Sequence, residues 1–364
     1  MPPPRPPPTR ARVIVSTVAG LALLGVLIYS VWKRPGVEAL PETALLSGET
    51  MGTTFLVKVV VPALDGATAE ALRDATDAEL AAVNGAMSHY VEDSDVSRLN
   101  RHEADAPLTV GEDTAEVLRL AQDISERSGG AFDVTVGPLV DLWGFHRKQA
   151  LDAEPETEEL AAIRARVGYA LLEVDPAAPT LRKARADLEV DLSAIAKGYG
   201  VDRVADALEA LGHDHYLVEI GGEVRARGVT AAGQPWRVGV EQPVDDRREV
   251  RRALGVRDAA VATSGDYRSF YVLDGRRVSH TIDPRSGRPV EHALAAVTVI
   301  HDRCAAADAW ATTLMVLGPD EGPELAYREG LAALFLFRDP DGTFREHTTP
   351  AFEDRILDEE EMAP

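Results

Sequence analysis

The run Cys304-Ala-Ala-Ala-Asp308-Ala-Trp-Ala-Thr312-Thr-Leu-Met-Val-Leu-Gly318 combines strong helix formers with two oxygen-bearing side chains. Alanine and leucine predict a helix, and Gly318 followed by proline predicts its end. Asp308 and Thr312 stand four residues apart, so both lie on one face of that helix. This pattern alone leaves two interpretations open. Asp308 caps a helix while Thr312 bonds back to the preceding turn, or the two oxygens hold a hard metal ion.

The composition of the chain is that of an ordinary globular protein with an acidic surface. Its 364 residues are 45% hydrophobic, which is enough for one large domain or two ordinary ones. The net charge of -22 argues against nucleic acid and anionic membrane surfaces as partners, because both repel it. The single cysteine, Cys304, excludes an internal disulfide framework and a multi-cysteine zinc site.

The N-terminus predicts a membrane anchor. Residues 13–32 carry no charge and are long enough to cross a bilayer as a helix. A cleaved signal peptide is the rival interpretation, but bulky and basic residues follow the segment in place of a small-residue cleavage site. The charge balance predicts that the domain after this segment lies on the extracytoplasmic side of the cell inner membrane. The predicted order is a cytoplasmic Pro/Arg-rich tail (1–12), a transmembrane anchor (13–32), a linker (33–46), a domain (47–350) and an acidic tail (351–364).

Hydrophobic periodicity predicts a mixture of helices and strands. The predicted helices are 66–87, 112–128, a charged segment in 147–168, one that follows Gly200, and the alanine-rich run quoted above. The predicted strands are 51–61, 188–192, 215–220, 236–240 and 295–300, with a hairpin over Asp274-Gly275 and another formed by 332–338 and 343–346. The hydroxyl-rich segment 88–100 is predicted to be a loop.

Residues 191–200 form a strand-to-helix junction that can bind an anion. Such a junction presents backbone N–H groups and the positive end of a helix dipole. Lys197 adds a positive charge beside two glycines that let a ligand approach the backbone. The spacing fits neither a Walker A loop nor a Rossmann fingerprint, and a plain helix start with a solvated lysine is the alternative. Gly221-Gly222, further along, is either part of the same site or a simple turn.

A second candidate is His280, in the turn-rich loop Ser-His280-Thr-Ile-Asp283-Pro. Prolines make this loop rigid, and a histidine in it can act as a base near neutral pH, with Asp283 as an orienting partner. A purely structural histidine is the alternative. Trp143, Tyr90 and Phe132 either stack against an aromatic ligand or fill the core.

The order of these motifs is more specific than any one of them. The blocks are Met51-Gly-Thr-Thr, Tyr90 with 94–100, 131–145, 191–200, Gly221-Gly222, 279–289 and 307–313. Two of them are long: Phe-Asp-Val-Thr-Val-Gly-Pro-Leu-Val-Asp-Leu-Trp-Gly-Phe and Ser-His-Thr-Ile-Asp-Pro-Arg-Ser-Gly-Arg-Pro. Together they resemble the ApbE family of FAD:protein FMN transferases, over about residues 46–340.

The resemblance implies a single large α+β domain, T-fold-like, that binds FAD and a magnesium ion. The expected FAD contacts are Met51, Tyr90, Ala131, Phe132, Asp133, Asp191, Lys197 and Ile282. The expected magnesium site is the backbone oxygen of Ala194 with Asp308, Ala311 and Thr312. The implied reaction moves the FMN part of FAD to a threonine hydroxyl of a target protein and releases AMP.

The chemistry of this reaction suggests catalytic roles, and the resemblance also implies partners. His280 is the expected base, and Asp308 holds the ion that neutralises charge on the diphosphate. The expected acceptors are flavin-carrying subunits of the sodium-pumping NADH:quinone reductase and of Rnf-type electron-transfer complexes. Magnesium-dependent hydrolysis of FAD to FMN and AMP, and flavin binding without catalysis, are the alternative functions.

Overall fold

The structure is a computed structural model that describes residues 41–146, 149–244, 249–267, 269–353 and 355. The predicted cytoplasmic tail, the predicted anchor and most of the predicted linker and acidic tail lie outside these residues. In the part of the chain that is described, no helix is both long and apolar enough to cross a membrane.

Side-chain caps fix the starts of the first two helices. Asp65 accepts the backbone N–H of Thr68, and Ser94 accepts that of Ser97. The helices are α1 Gly66–Met87, α2 Asp95–Arg101, α3 Glu112–Arg127, α4 Gly137–Leu142, α5 Thr157–Arg164, α6 Ala196–Ala210, α7 Cys304–Glu329 and α8 Pro350–Glu353. The predicted helices at 66–87 and 112–128 are therefore confirmed.

The strands account for the rest of the regular structure. They are β1 Glu42–Thr50, β2 Thr53–Val61, β3 Leu108–Thr109, β4 Leu172–Val174, β5 Thr180–Lys183, β6 Tyr216–Ile220, β7 Glu223–Arg227, β8 Trp236–Glu241, β9 Val250–Val256, β10 Ala259–Gly265, β11 Phe270–Leu273, β12 Arg276–Ser279, β13 Ile282–Asp283, β14 Arg288–Pro289, β15 Leu294–His301, β16 Ala332–Arg338 and β17 Phe344–Thr348. Both predicted hairpins, β11–β12 and β16–β17, are confirmed. The fold class is α+β, as the sequence predicts.

An eight-stranded sheet in the order β1-β2-β6-β7-β10-β15-β16-β17 forms the centre of the domain. Every neighbouring pair in it is antiparallel. On one face of the sheet, apolar side chains of α1, α6 and α7 pack against the strands. On the other face, apolar side chains of the β8–β9 ribbon and of α8 pack against the strands. Both faces of the sheet are therefore covered in its central part.

The sequence of strand β16 is almost continuously apolar because the strand is buried on both faces of the sheet. Phe335 and Phe337 belong to the cluster that contains α7, whereas the intervening Leu334 and Leu336 belong to the cluster on the opposite face. Successive side chains of a strand point to opposite faces, so a strand buried on both sides has no polar positions. Each such side chain contributes roughly 1.5–3 kcal/mol by leaving water.

Helix α7 is interrupted where the sequence predicts its end. Gly318 has φ 76° and ψ -160°, values that are not helical, and Pro319 follows it. A second helical segment then continues to Glu329, so α7 is two helices joined at a kink. Pro319 also has no N–H to offer the carbonyl of Met315, four residues earlier. The Nε2 atom of His292 lies 2.9 Å from that carbonyl oxygen and takes the place of the missing donor.

Several local predictions are wrong. The segment predicted as a polar loop contains α2, because Ser94 provides a helix cap. Residues 188–192 belong to no strand, and among the described residues 149–168 only α5 is an α-helix. Strand β1 begins at Glu42, inside the predicted linker, because its residues pair along β2. The start of the predicted acidic tail is ordered as well, since Phe352 of α8 is fully buried.

Candidate functional site

One cavity of about 630 Å³ brings together most of the residues that the sequence singles out. This volume lies within the range of roughly 300–1,000 Å³ that is usual for ligand pockets. The predicted residues that line it are Met51, Tyr90, Ala131, Phe132, Asp133, Asp191, Ala194, Lys197, His280, Ile282, Asp308 and Thr312. Ala311 is not among the lining residues, and its side chain is fully buried in the core.

The contacts of Asp308 show that it caps a neighbouring helix and that, among the described residues, its hydroxyl partner in the prediction, Thr312, does not bond back to its own turn. Helix α7 begins after Arg303 without a side-chain cap, so Asp308 does not cap its own helix. Its Oδ2 atom instead accepts the backbone N–H of Gly198 at 3.1 Å, in the first turn of α6. The hydroxyl that bonds back to the preceding turn is that of Thr313, which donates to the carbonyl of Ala309 at 2.7 Å. Thr312 lines the cavity together with Asp308.

Helices α6 and α7 cap each other. Asp202 of α6 is fully buried and accepts the backbone N–H groups of Cys304 and Ala305, both at 3.0 Å, at the start of α7. Asp308 of α7 returns the contact to Gly198 of α6. Each carboxylate therefore satisfies N–H groups that a helix start leaves without a partner. This reciprocal arrangement fixes the two helix starts, and with them Lys197 and Asp308.

Lys197 lies between two carboxylates at the cavity wall. Its Nζ atom is 2.8 Å from Oε1 of Glu223 and 3.6 Å from Oδ1 of Asp308. Burial opposes the charge of the ammonium, but the carboxylates of Asp308 and Glu223 outweigh burial and raise the pKa of Lys197. Burial raises the pKa of Glu223 to about 7, although the Lys197 ammonium acts in the opposite direction. The alternative of a solvated lysine at this helix start is therefore wrong.

The loop after Ser279 orients His280 through the main chain. Its Nδ1 atom lies 3.0 Å from the carbonyl oxygen of Ser269, which can only accept, so Nδ1 carries the proton. In the neutral ring Nε2 then holds the lone pair. Burial lowers the pKa of His280 and favours this neutral form. The prediction that Asp283 orients His280 is wrong, because Asp283 pairs with Arg285 at 3.0 Å.

Asp191 is the centre of a cluster that sequence reasoning identified only in part. His146 Nε2 lies 2.8 Å from Oδ2 of Asp191, and Ser193 donates its N–H to Oδ1. Burial would raise the pKa of Asp191, but the hydrogen bonds from His146 and Ser193 lower it to about 2. The same pairing raises the pKa of His146 against burial, whereas burial lowers the pKa of His89, whose Nδ1 is 3.8 Å from Asp191.

His89 and His146 also line the cavity, and neither was predicted. Both stand next to predicted residues, since His89 precedes Tyr90 and His146 follows the block that ends at Phe145. Glu223 was missed in the same way, directly after the Gly221-Gly222 pair. Adjacency to a motif was the available signal in all three cases, and it does not reveal which way a side chain points.

Asp133 uses its carboxylate to hold its own loop. Oδ1 accepts the N–H and the hydroxyl of Thr135, and Oδ2 accepts the N–H of Tyr169 at 2.7 Å. Burial raises the pKa of Asp133 in spite of these bonds. Two other predicted FAD contacts have different surroundings. Met51 lies in the β1–β2 turn with a positive φ of 48°, and Tyr90 is 74% exposed.

Comparison with known proteins agrees with this geometry. A sequence model of the ApbE family matches residues 51–335, most of the chain. The FAD:protein FMN transferase of Vibrio cholerae is 42% identical over 328 residues, which cover 90% of this chain and 97% of the relative. The chain belongs to the ApbE family.

Other relatives and solved structures of the ApbE family extend the likeness. The FAD:protein FMN transferase of Escherichia coli K12 is 37% identical and is covered over 93% of its length. The structure of flavin transferase ApbE from Vibrio cholerae aligns with a TM-score of 0.78, over 87% of this chain and all of that one. The apo form of the flavinyl transferase ApbE from Pseudomonas stutzeri aligns with the same TM-score at 41% identity.

The donor set at Asp308 fits a magnesium ion. The cavity is lined by Asp308, Thr312 and Ala194, which carry a carboxylate, a hydroxyl and a backbone carbonyl. These are hard oxygen donors, which magnesium prefers over softer metals and commonly supplements with water and phosphate oxygens. Among the described residues, no group of three or more histidine, cysteine, aspartate or glutamate side chains is placed to hold a metal. A zinc-type site is therefore not formed by this part of the chain.

Proposed function

We propose that this protein transfers the FMN part of FAD to a hydroxyl of an acceptor protein, with release of AMP. The observation that carries the proposal is the meeting, in one cavity, of Lys197, Asp308 and His280 with the other residues expected to contact FAD. The names of the relatives, FAD:protein FMN transferase and flavin transferase, support the same reaction. We further propose that the acceptor hydroxyl belongs to a threonine and that the reaction depends on magnesium.

Lys197 and the start of α6 have the role of binding the diphosphate. The ammonium stays charged, because its pKa is raised, and Lys197 lines the cavity at the start of α6. Cationic donors and a helix start are the usual partners of phosphate oxygens in proteins. Tyr90, which is exposed at the cavity, offers aromatic surface for a ring system of FAD, whereas Phe132 is buried in the core.

Asp308, Thr312 and the backbone oxygen of Ala194 are the residues that would hold magnesium. When bound there, the ion would neutralise the charge that develops on the diphosphate oxygens. Asp308 is already positioned for such a role by its hydrogen bond from Gly198. Its other oxygen, Oδ1, is left on the side of Lys197.

His280 is the proposed base. Its Nε2 lone pair accepts the proton of the acceptor hydroxyl while the hydroxyl oxygen forms a bond to the phosphorus of the FMN phosphate. The bond from that phosphorus to the bridging oxygen breaks, and AMP leaves with the electron pair. The hydrogen bond from Nδ1 to Ser269 keeps the correct tautomer throughout this step.

The test is incubation of the protein with FAD, magnesium and a threonine-containing acceptor protein. We expect the acceptor to gain the mass of a covalent FMN group. We also expect free AMP to appear in an amount equal to that of the labelled acceptor. Asp308→Ala should abolish the magnesium-dependent turnover, and Glu329→Gln, a change far along the same helix, should not. Release of FMN and AMP without labelled acceptor would establish hydrolysis instead, and unchanged FAD would leave only binding.

The acceptor and the location are separate proposals. We propose flavin-carrying subunits of NADH:quinone reductase or Rnf-type complexes as acceptors, and an anchor at 13–32 that places the domain outside the cytoplasm. The uncharged segment and the arginines before it support the anchor. Membrane fractionation with protease protection of intact spheroplasts tests the location. Digestion of the domain only after lysis would contradict it.

A further inference from the structure

The Lys197 ammonium is shared unequally between its two carboxylates. The distance from Nζ to Glu223 is that of a charged hydrogen bond, 2.8 Å, whereas the distance to Asp308 is 3.6 Å. Lys197 is therefore bonded to Glu223 and only near Asp308. This asymmetry concerns the carboxylate that is proposed to bind the divalent cation.

Burial of the Glu223 carboxylate is energetically unfavourable. Glu223 is the first residue of β7, its side chain is 4% exposed, and no hydrogen-bond partner of its Oε2 atom is found in the described part of the chain. A buried carboxylate with one unpaired oxygen is unfavourable, and a glutamine has almost the same shape without the charge. What the charge adds at this position is the bond to Lys197.

The free oxygen of Asp308 is the one that Lys197 approaches. Gly198 holds Oδ2 through its backbone N–H, so Oδ1 remains for a further ligand. The ammonium and a divalent cation repel each other, and both would be drawn to that oxygen. The side chain of Glu223 offers the ammonium another place to bind.

We propose that Glu223 is a positioning residue that draws the Lys197 ammonium off Asp308 and so keeps Oδ1 of Asp308 open to the divalent cation. This rests on the proposed function of the site. With an uncharged residue at 223, Lys197 closes on Asp308, and the cation has to displace that ion pair before it binds. Glu223 thus sets the affinity for the metal without being its ligand.

The experiment is a calorimetric titration of the full-length protein with Mg²⁺ alone, without FAD or acceptor. We expect Glu223→Gln to weaken Mg²⁺ binding by about tenfold, within the coupling range of residues in direct contact. The matched control is Glu329→Gln. Glu329 lies at the end of α7, the helix that carries Asp308, and its largely buried carboxylate forms a 2.6 Å ion pair with Arg127. The control should leave the dissociation constant of Mg²⁺ unchanged.

A double-mutant cycle with Lys197→Met separates positioning from a simple loss of negative charge. Lys197→Met alone should tighten Mg²⁺ binding, and in that background Glu223→Gln should have little further effect. An equal loss in both backgrounds, or no loss in Glu223→Gln alone, would overturn the proposal. Failure of Mg²⁺ to bind the wild-type protein would overturn it together with the metal assignment. Flavin transfer itself is judged separately, by the labelling of the acceptor.

Discussion

Substitution of Gly198 by alanine tests whether the close crossing of α6 and α7 maintains the site. A Cβ atom at Gly198 would lie 2.7 Å from the carbonyl carbon of Cys304 and 2.8 Å from the Cα atom of Ala305. Both are backbone atoms at the start of α7, so no side chain can rotate away to relieve the contact. Helix α7 has to move, and the hydrogen bond from Gly198 to Asp308 moves with it.

The expected magnitude follows from two opposing terms. Alanine in a helix is favoured over glycine by about 1 kcal/mol, whereas overpacking of a tight contact costs about 1–3 kcal/mol or more. We expect Gly198→Ala to be destabilising on balance and to weaken magnesium-dependent transfer. Gly85→Ala is the matched control, because Gly85 lies in α1 and nothing lies within 4 Å of its added Cβ atom.

The assay is urea unfolding of both variants, followed by circular dichroism, together with the transfer rate. Gly85→Ala should raise the unfolding midpoint and keep wild-type activity. Gly198→Ala should lower the midpoint and the activity. A Gly198→Ala protein that is as stable and as active as Gly85→Ala would refute the claim that this crossing fixes Asp308.

Three further predictions concern single side chains. His280→Ala should slow transfer by about 10²- to 10⁴-fold. Because burial lowers the pKa of His280, the wild-type rate should fall with acid only below about pH 6.5, when the base becomes protonated. Near-wild-type transfer by His280→Ala would exclude this base. His292→Ala removes the donor to the Met315 carbonyl, which Pro319 leaves unpaired, and should lower the free energy of unfolding by about 1–3 kcal/mol. The loss should be smaller in His292→Gln, because glutamine retains a donor. Asp202→Asn breaks the ion pair between the fully buried Asp202 and the partly buried Arg225, and it weakens a helix cap. It should cost about 3–5 kcal/mol by the same unfolding measurement, whereas a loss below about 1 kcal/mol would contradict the reciprocal capping.

The sequence predicted the elements whose cause is local. The periodic helices α1 and α3, the turn at Asp274-Gly275 and the end of the first part of α7 at Gly318 depend on residues that are neighbours in the chain. Strand β1 was missed because its stability comes from pairing with β2, and the segment before it looked like a linker. Residues 188–192 have a strand-like pattern, but they are part of no strand in the structure.

The same distinction between local and distant causes applies to the candidate site. The i, i+4 spacing of Asp308 and Thr312 correctly placed both side chains at one cavity. Their partners could not be found from spacing, because Gly198 and Glu223 reach the site from α6 and β7, far away in the chain. The proposed pairing of Asp283 with His280 shows the opposite error, since neighbours in a loop need not face each other.

The labelling of an acceptor protein tests the central claim most directly. The intact mass of the acceptor is measured after incubation with the full-length protein, FAD and Mg²⁺, next to a parallel reaction with Asp308→Ala and one with EDTA. We expect a covalent FMN adduct on a threonine in the first reaction and none in the other two. An adduct that forms equally well with Asp308→Ala, or FAD consumption without any adduct, would contradict the central claim.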